Sequence, residues 1–231
     1  MTGKVYGLGL GPGDPELVTM KAARLIGAAQ IIAYPRTRTG DSFVRDIAAP
    51  YIPAAAQEIP LDTPMAIDTA IAQAKYDEHA EIIAAHLEAG RDVVLLCEGD
   101  PFLFGSFMYL YDRLADRFEV EVVPGVSSVT ACAAAAGLPL VGREDILTVL
   151  PGTLPEEILE RELAHTSAAV IMKVGRHLPK IRAVIERLGC TGGATYVERA
   201  LTPGQRVVPL ARLTDETAPY FSIILVFRDT D

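Results

Sequence analysis

Three short turns carry the residues best suited to holding a small charged molecule. They are Gly7-Leu-Gly-Leu-Gly-Pro-Gly-Asp14, Cys97-Glu-Gly-Asp-Pro101 and Val123-Pro-Gly-Val-Ser-Ser128. Each follows a predicted strand and leads toward a predicted helix, where open α/β sheets bind their ligands. The first looks like a phosphate loop and breaks the rules of one. A dinucleotide fingerprint, G-x-G-x-x-G, counted from Gly7 and Gly9 meets Pro12 at its third glycine, and counted from Gly9 and Gly11 it meets Asp14. A carboxylate at the turn opposes a pyrophosphate, and no Gly-Lys-Ser/Thr follows to make a nucleoside triphosphate loop. The second predicted strand ends in Tyr34-Pro-Arg36, without the acidic residue that would hold a ribose hydroxyl. The turn is shaped for something other than a dinucleotide phosphate.

The Gly-Asp-Pro pattern recurs after two separate strands, at Gly13-Asp14-Pro15 and Gly99-Asp100-Pro101. Asp14 and Asp100 suit the N-cap of a following helix, with proline just inside it. Ser127 and Ser128 can cap a third helix or contact a ligand. No Ser/His/Asp or Cys/His arrangement suggests a covalent nucleophile. Cations that could meet a polyanionic substrate fall in two clusters, Arg36 with Arg38, and Lys173, Arg176, His177 and Lys180.

The elements that must position these turns follow from periodicity. Strands are predicted over 5–10, 30–34, 92–97 and 118–123, alternating with helices, which implies a parallel α/β sheet. The segment Pro64 to Gly90 reads as a long helix with Ala70, Ala74, Ile82, Ile83 and Leu87 on its buried stripe. After an alanine-rich helix at Ser127 to Ala136, strands over 146–150, 168–174, 194–198 and 221–227 suggest a second unit with a mixed sheet. The expected domains are 1–117 and 118–231.

Composition narrows the function. Half of the 231 residues are hydrophobic and 22% are charged, enough for a packed core. A net charge of -9 argues against an extended nucleic-acid face, while leaving room for a local anion site. The most apolar stretch, Val126 to Val141, falls short of the ~18 apolar residues of a membrane span, and no signal peptide is expected, so the chain reads as cytoplasmic. Cys97, Cys132 and Cys190 form no C-x-x-C pair and read as reduced core residues. His79, His86, His165 and His177 are scattered, so no resident metal is expected.

Taken together, the Gly-Pro-Gly-Asp turn, the Gly-Asp-Pro loop and the Pro-Gly-Val-Ser turn resemble those of the tetrapyrrole methylases, the class III methyltransferases that use S-adenosylmethionine (SAM). The resemblance covers essentially the whole chain. Ile32-Ala-Tyr-Pro35, Glu98 to Tyr109 and Leu147 to Pro155 are most similar to the branch that methylates C20 of precorrin-2 on the way to cobalamin. It implies two α/β domains with SAM in the cleft between them, a homodimer, and a trough for the macrocycle lined by Gly11, Gly13 and Asp14. The family's SAM contacts fall on Pro12, Glu98, Gly99, Asp100, Leu103, Ser127, Ser128, Met172 (or the adjacent Lys173 or Val174) and Ala200. Arg36, Arg38, Lys173 and Arg176 become substrate contacts in this reading, and the tetrapyrrole and SAM the only partners, with no nucleic acid or membrane. Where many relatives carry glycine, this chain has Glu98. Its carboxylate can meet a SAM ammonium or hydroxyl, or the substrate. Methyl transfer to an electron-rich ring carbon needs alignment above all. A base for the displaced C20 proton is sought among Tyr34, Glu98 and His177. Open alternatives are cobalt-factor II as substrate, a different ring position, a protein or RNA substrate, and a nucleotide-binding module without turnover.

Overall fold

The computed structural model describes residues 1–63 and 69–228. The chain divides into two compact units, Met1–Ser127 and Ser128–Asp231. Residues 118–127, expected in the second unit, belong to the first, because β5 (Val120–Val123) pairs in parallel with β1 (Val5–Gly9).

The first unit is built on a parallel sheet of five strands, ordered β3-β2-β4-β1-β5. Here β2 is Ile31–Arg36, β3 is Gln57–Asp62 and β4 is Val93–Cys97. Strand β4 is buried along its whole length, as a central strand covered on both faces must be. On one face Leu8, Ile32 and Leu96 pack with Ile26 of α1 (Met20–Gly27) and Val44 and Ile47 of α2 (Phe43–Ala48). On the other, Ala33, Leu95 and Cys97 pack with Ile83 and Leu87 of α3 (Thr69–Glu88) and Phe107 and Leu110 of α4 (Phe107–Leu114). Each fully buried leucine or isoleucine here stabilises the unit by about 1.5–3 kcal/mol.

Several expectations shift. The helix expected at Pro15 is one 3-10 turn, Pro15–Leu17, capped by Asp14, whose side chain accepts from the Glu16 N–H at 2.9 Å. Val18 and Thr19 are extended, and Thr19 caps α1 afresh by accepting from the Ala22 N–H. Residues 64–68 of the expected long helix lie outside the described residues. On α3 the buried stripe is Tyr76, His79, Ala80, Ile83, Ala84 and Leu87, while Ala70, Ala74 and Ile82 are exposed. Alanine favours helix whether or not it is buried, so Ala70 and Ala74 carried little information about the face. Strand β3 has no strong sequence signal because Pro60 interrupts it, and it is an edge strand, where proline is tolerated.

The second unit holds a mixed sheet ordered β6-β7-β10-β8-β9, from β6 (Leu147–Pro151), β7 (Ala168–Met172), β8 (Ala194–Glu198), β9 (Arg206–Pro209) and β10 (Ser222–Phe227). Strand β6 runs parallel to β7, and β10 lies antiparallel between β7 and β8. Leu159 and Leu163 of α6 (Glu156–Ala164) and Ile181, Val184 and Ile185 of α7 (Leu178–Arg187) cover one face. Helix α5 (Ser128–Ala136) lies against β8 and β10. No helix among the described residues is long and apolar enough to cross a membrane.

Candidate active site

Strand order dictates where the turns meet. Strands β1 and β4 are neighbours, yet β1 leads through α1 to β2, and β4 leads through α4 on the opposite face to β5. That divergence is a topological switch point, and it opens a crevice at the carboxyl ends of the two strands. The Gly-Pro-Gly-Asp turn and the Glu98-Gly-Asp-Pro loop emerge there side by side. They are joined by an antiparallel bridge in which the Gly99 N–H donates to Gly11 O at 2.8 Å and the Gly11 N–H donates to Gly99 O at 3.2 Å.

The third turn packs onto the same spot through bare backbone. A Cβ on Gly125 would lie 2.1 Å from Gly99 O and 2.7 Å from the Gly9 carbonyl carbon, and one on Gly9 would lie 2.5 Å from Gly125 N. Only glycine permits that approach. Asp100 clamps the junction: Oδ1 accepts from the Phe102 N–H at 2.9 Å and Oδ2 from the Gly125 N–H at 3.1 Å. Asp100 was expected to cap a helix. It closes a turn instead, and α4 begins later, at Phe107 after Ser106.

In this unit Pro12, Glu98, Gly99, Asp100, Leu103 and Ser127 are thus carried by three interlocked turns, all half-buried. Their chemistry fits a cationic, hydroxyl-bearing cofactor such as SAM. Gly99 has φ +60° and nothing within 4 Å of where a Cβ would stand, so a ligand can come against its backbone. Glu98 offers a half-buried carboxylate beside it, and burial pushes that carboxyl above its ordinary value. In the second unit, Ser128 opens α5, Met172 ends β7, and the buried Ala200 follows β8. Lys173 (φ +56°) and the pair flanking Ala200, Arg199 (φ +47°) and Leu201 (φ +58°), adopt the left-handed backbone that L-residues avoid. Such strain persists only where the surroundings enforce it.

The other expected residues separate. Tyr34 and Arg36 lie on β2, but neither side chain is unengaged. Burial raises the Tyr34 phenol above its ordinary value, and its hydrogen bond to Glu58 raises it further, which makes it a poor proton acceptor. Glu58 in turn accepts from Arg45 Nε and Nη2 at 3.0 and 2.9 Å. Arg36 Nε donates to Asp62 Oδ1 at 2.6 Å, across the β2–β3 register. Arg38 is exposed in the next turn, and Gly11 is buried in its bridge while Gly13 and Asp14 are half-buried. Lys173 and Arg176 are exposed in the second unit, whereas Lys180 donates to Leu154 O. His177 sits in a 3-10 turn, its imidazole pushed down by partial desolvation and then by Lys180 and Arg176. Cys97, Cys132 and Cys190 are free and buried, and burial pushes the Cys132 thiol up to about 12. Among the described residues no group of three or more His, Cys, Asp or Glu side chains could hold a metal ion.

The Arg45–Glu58 pair predicts an acid sensitivity. Arg45 holds the Glu58 carboxyl below its ordinary value of 4.5. A carboxyl depressed in the folded state adds stability that is complete above its unfolded pKa and vanishes as pH falls through the folded one. Between about pH 5 and about pH 3, wild-type protein should therefore lose more stability than Glu58→Gln. Parallel melting curves for both would contradict it.

The chain is 45% identical to the precorrin-2 C(20)-methyltransferase of a Sinorhizobium species, over 97% of its own length and 95% of that protein's. It is 45% identical to the cobalamin biosynthesis protein CobIJ of Mycobacterium bovis, again over 97% of its own length but only 46% of that protein, so the chain spans about half of this relative. A crystal structure of uroporphyrin-III C-methyl transferase from Thermus thermophilus, complexed with S-adenyl homocysteine, superposes with a TM-score of 0.70 and 29% identity, covering 97% of each chain. The three interlocked turns fall within residues 4–214, the span over which the chain matches the tetrapyrrole (corrin/porphyrin) methylases, and it belongs to that family.

Proposed function

We propose that the chain is a SAM-dependent C-methyltransferase that methylates C20 of precorrin-2, giving precorrin-3A, in cobalamin biosynthesis. The observation that carries the reading is the 45% identity, nearly end to end, with the Sinorhizobium precorrin-2 enzyme. The interlocked turns support it, because they offer a carboxylate and open backbone at the switch point of a parallel sheet. SAM, when bound, supplies an activated methyl group on a sulfonium centre. The residues that would hold it are Pro12, Glu98, Gly99, Asp100, Leu103 and Ser127, with Ser128, Met172 and Ala200. The reading extends to a homodimer on the family resemblance alone.

The chain's own work is positioning and proton removal. Asp100 fixes two turns at once, so the groups they carry keep a constant spacing, and alignment of this kind supplies much of the rate in a direct transfer. Glu98 is the best candidate for accepting the C20 proton. It is half-buried with its carboxyl raised toward neutrality, whereas Tyr34 is raised away from it and engaged by Glu58.

Arg36 is the cation assigned to a substrate carboxylate. Its exposed ion pair with Asp62 adds little to stability, so its loss should leave the fold intact. Arg36→Ala should raise the KM for the tetrapyrrole several-fold and leave SAM affinity nearly unchanged, as steady-state kinetics and calorimetric SAM titration would read. An unchanged KM removes Arg36 from the substrate site. The reaction itself is tested by supplying precorrin-2, cobalt-factor II and uroporphyrinogen III separately and measuring S-adenosylhomocysteine released. Precorrin-2 should give the highest kcat/KM, and preference for either of the others would overturn the substrate assignment.

A further inference from the structure

One cavity lies at the carboxyl ends of β2, β3 and β4 between α3 and α4, touching the second turn only through Cys97. It holds about 30 Å³, space for a small polar group but not a ring. Its lining includes the apolar Leu61, Phe107 and Leu110 and the polar Thr63, Tyr76, His79 and Ser106. His79 is 5% exposed. No hydrogen bond to its imidazole, to the Thr63 hydroxyl or to the Ser106 hydroxyl is found among the described residues. The ring nitrogens of His79 keep slight solvent access, so a water or a ligand group can reach them. The Tyr76 ring packs against the imidazole at nearly a right angle, ring centroids 6.3 Å apart.

The donors converge on one kind of guest. Ser106 and Phe107 open α4 and line the cavity, so the start of that helix borders it. Two hydroxyls and a ring N–H can all donate to the same oxygens. Burial lowers the imidazole's pKa, favouring the neutral form, while Glu78 and Asp62 oppose it and Lys75 pushes the same way as burial. The half-buried Pro35, Thr63 and Ser106 mark the mouth, and Pro35 adjoins Arg36.

We propose that this cavity is a subsite for one peripheral carboxylate of the tetrapyrrole, received by Thr63, His79 and Ser106 beside the Arg36 contact. The proposal rests on the tetrapyrrole reading above. His79 is then a specificity residue for the substrate with no part in holding SAM.

The test compares wild type with His79→Phe, which keeps an aromatic but larger ring and removes the donor, and with Ser106→Ala, which removes a hydroxyl without adding bulk. For His79→Phe the KM for precorrin-2 should rise at least about tenfold, the loss typical of a hydrogen bond to a charged group. Ser106→Ala should raise it less, with kcat and calorimetric SAM affinity close to wild type in both. An unchanged KM in both variants overturns the proposal, as does an equal loss of SAM affinity. The same variants are titrated against uroporphyrin, a fluorescent tetrapyrrole carboxylate, by anisotropy. That binding should weaken in parallel, and equal binding by all three proteins would count against the subsite. If wild type transfers no methyl to precorrin-2, the assigned reaction fails, and the anisotropy still decides the cavity.

Discussion

Gly125→Ala should cost the first unit at least about 1–3 kcal/mol and weaken SAM binding at least about tenfold. The new Cβ would stand 2.1 Å from Gly99 O, 2.7 Å from the Gly9 carbonyl carbon and 2.8 Å from Gly9 Cα. Every one of those atoms is backbone, so no rotamer change can clear the space. The turns must part, which also breaks the bond from the Gly125 N–H to Asp100 Oδ2. Parting moves Glu98, Gly99 and Asp100 away from Pro12 and Ser127, the same groups assigned to the cofactor. Gly192→Ala is the control, since nothing lies within 4 Å of its Cβ position. Urea unfolding and calorimetric SAM titration should leave the control near wild type. Wild-type stability and affinity in Gly125→Ala would show that the turns do not form one unit.

Glu98→Gln should lower kcat about 10²–10⁴-fold if the carboxylate takes the C20 proton, the usual worth of a positioned base. The substitution preserves size and hydrogen-bonding reach and removes the negative charge together with the capacity to accept a proton. In wild type, activity should fall as pH drops through the Glu98 pKa, which burial places above the ordinary 4.5. The variant's residual activity should lack that acid limb. The opposite pattern, a raised SAM Kd with kcat preserved, would assign Glu98 to the cofactor's ammonium or hydroxyls and leave proton removal to another group.

Much of this site was legible because turn chemistry is local. Glycine, aspartate and proline at fixed offsets announced strand-to-helix turns after β1 and β4, and the broken fingerprint argued against a dinucleotide. What local chemistry could not reveal was how the turns lock. Gly9 and Gly125 look like ordinary turn glycines until β1, β4 and β5 stand side by side, and only then do the Gly99 carbonyl and each other's backbone exclude a side chain on either. Asp100 reads as a cap from its neighbours, yet its second oxygen is taken by a residue 25 positions away. Arg36 looked unengaged because its partner lies on β3, the strand Pro60 concealed. His79 did carry a signal, being three residues after Tyr76 on the stripe continued by Ala80, Ile83 and Leu87. The exposed alanines drew attention to the wrong face.

The claim at the centre of this account is the position of methylation, and carbon NMR of the product reads it directly. Precorrin-2 is incubated anaerobically with the purified protein and SAM carrying a ¹³C-labelled methyl group. The account predicts one new methyl resonance coupled to C20 of the macrocycle and absent without enzyme. A labelled methyl at any other ring carbon, or none at all, would contradict it.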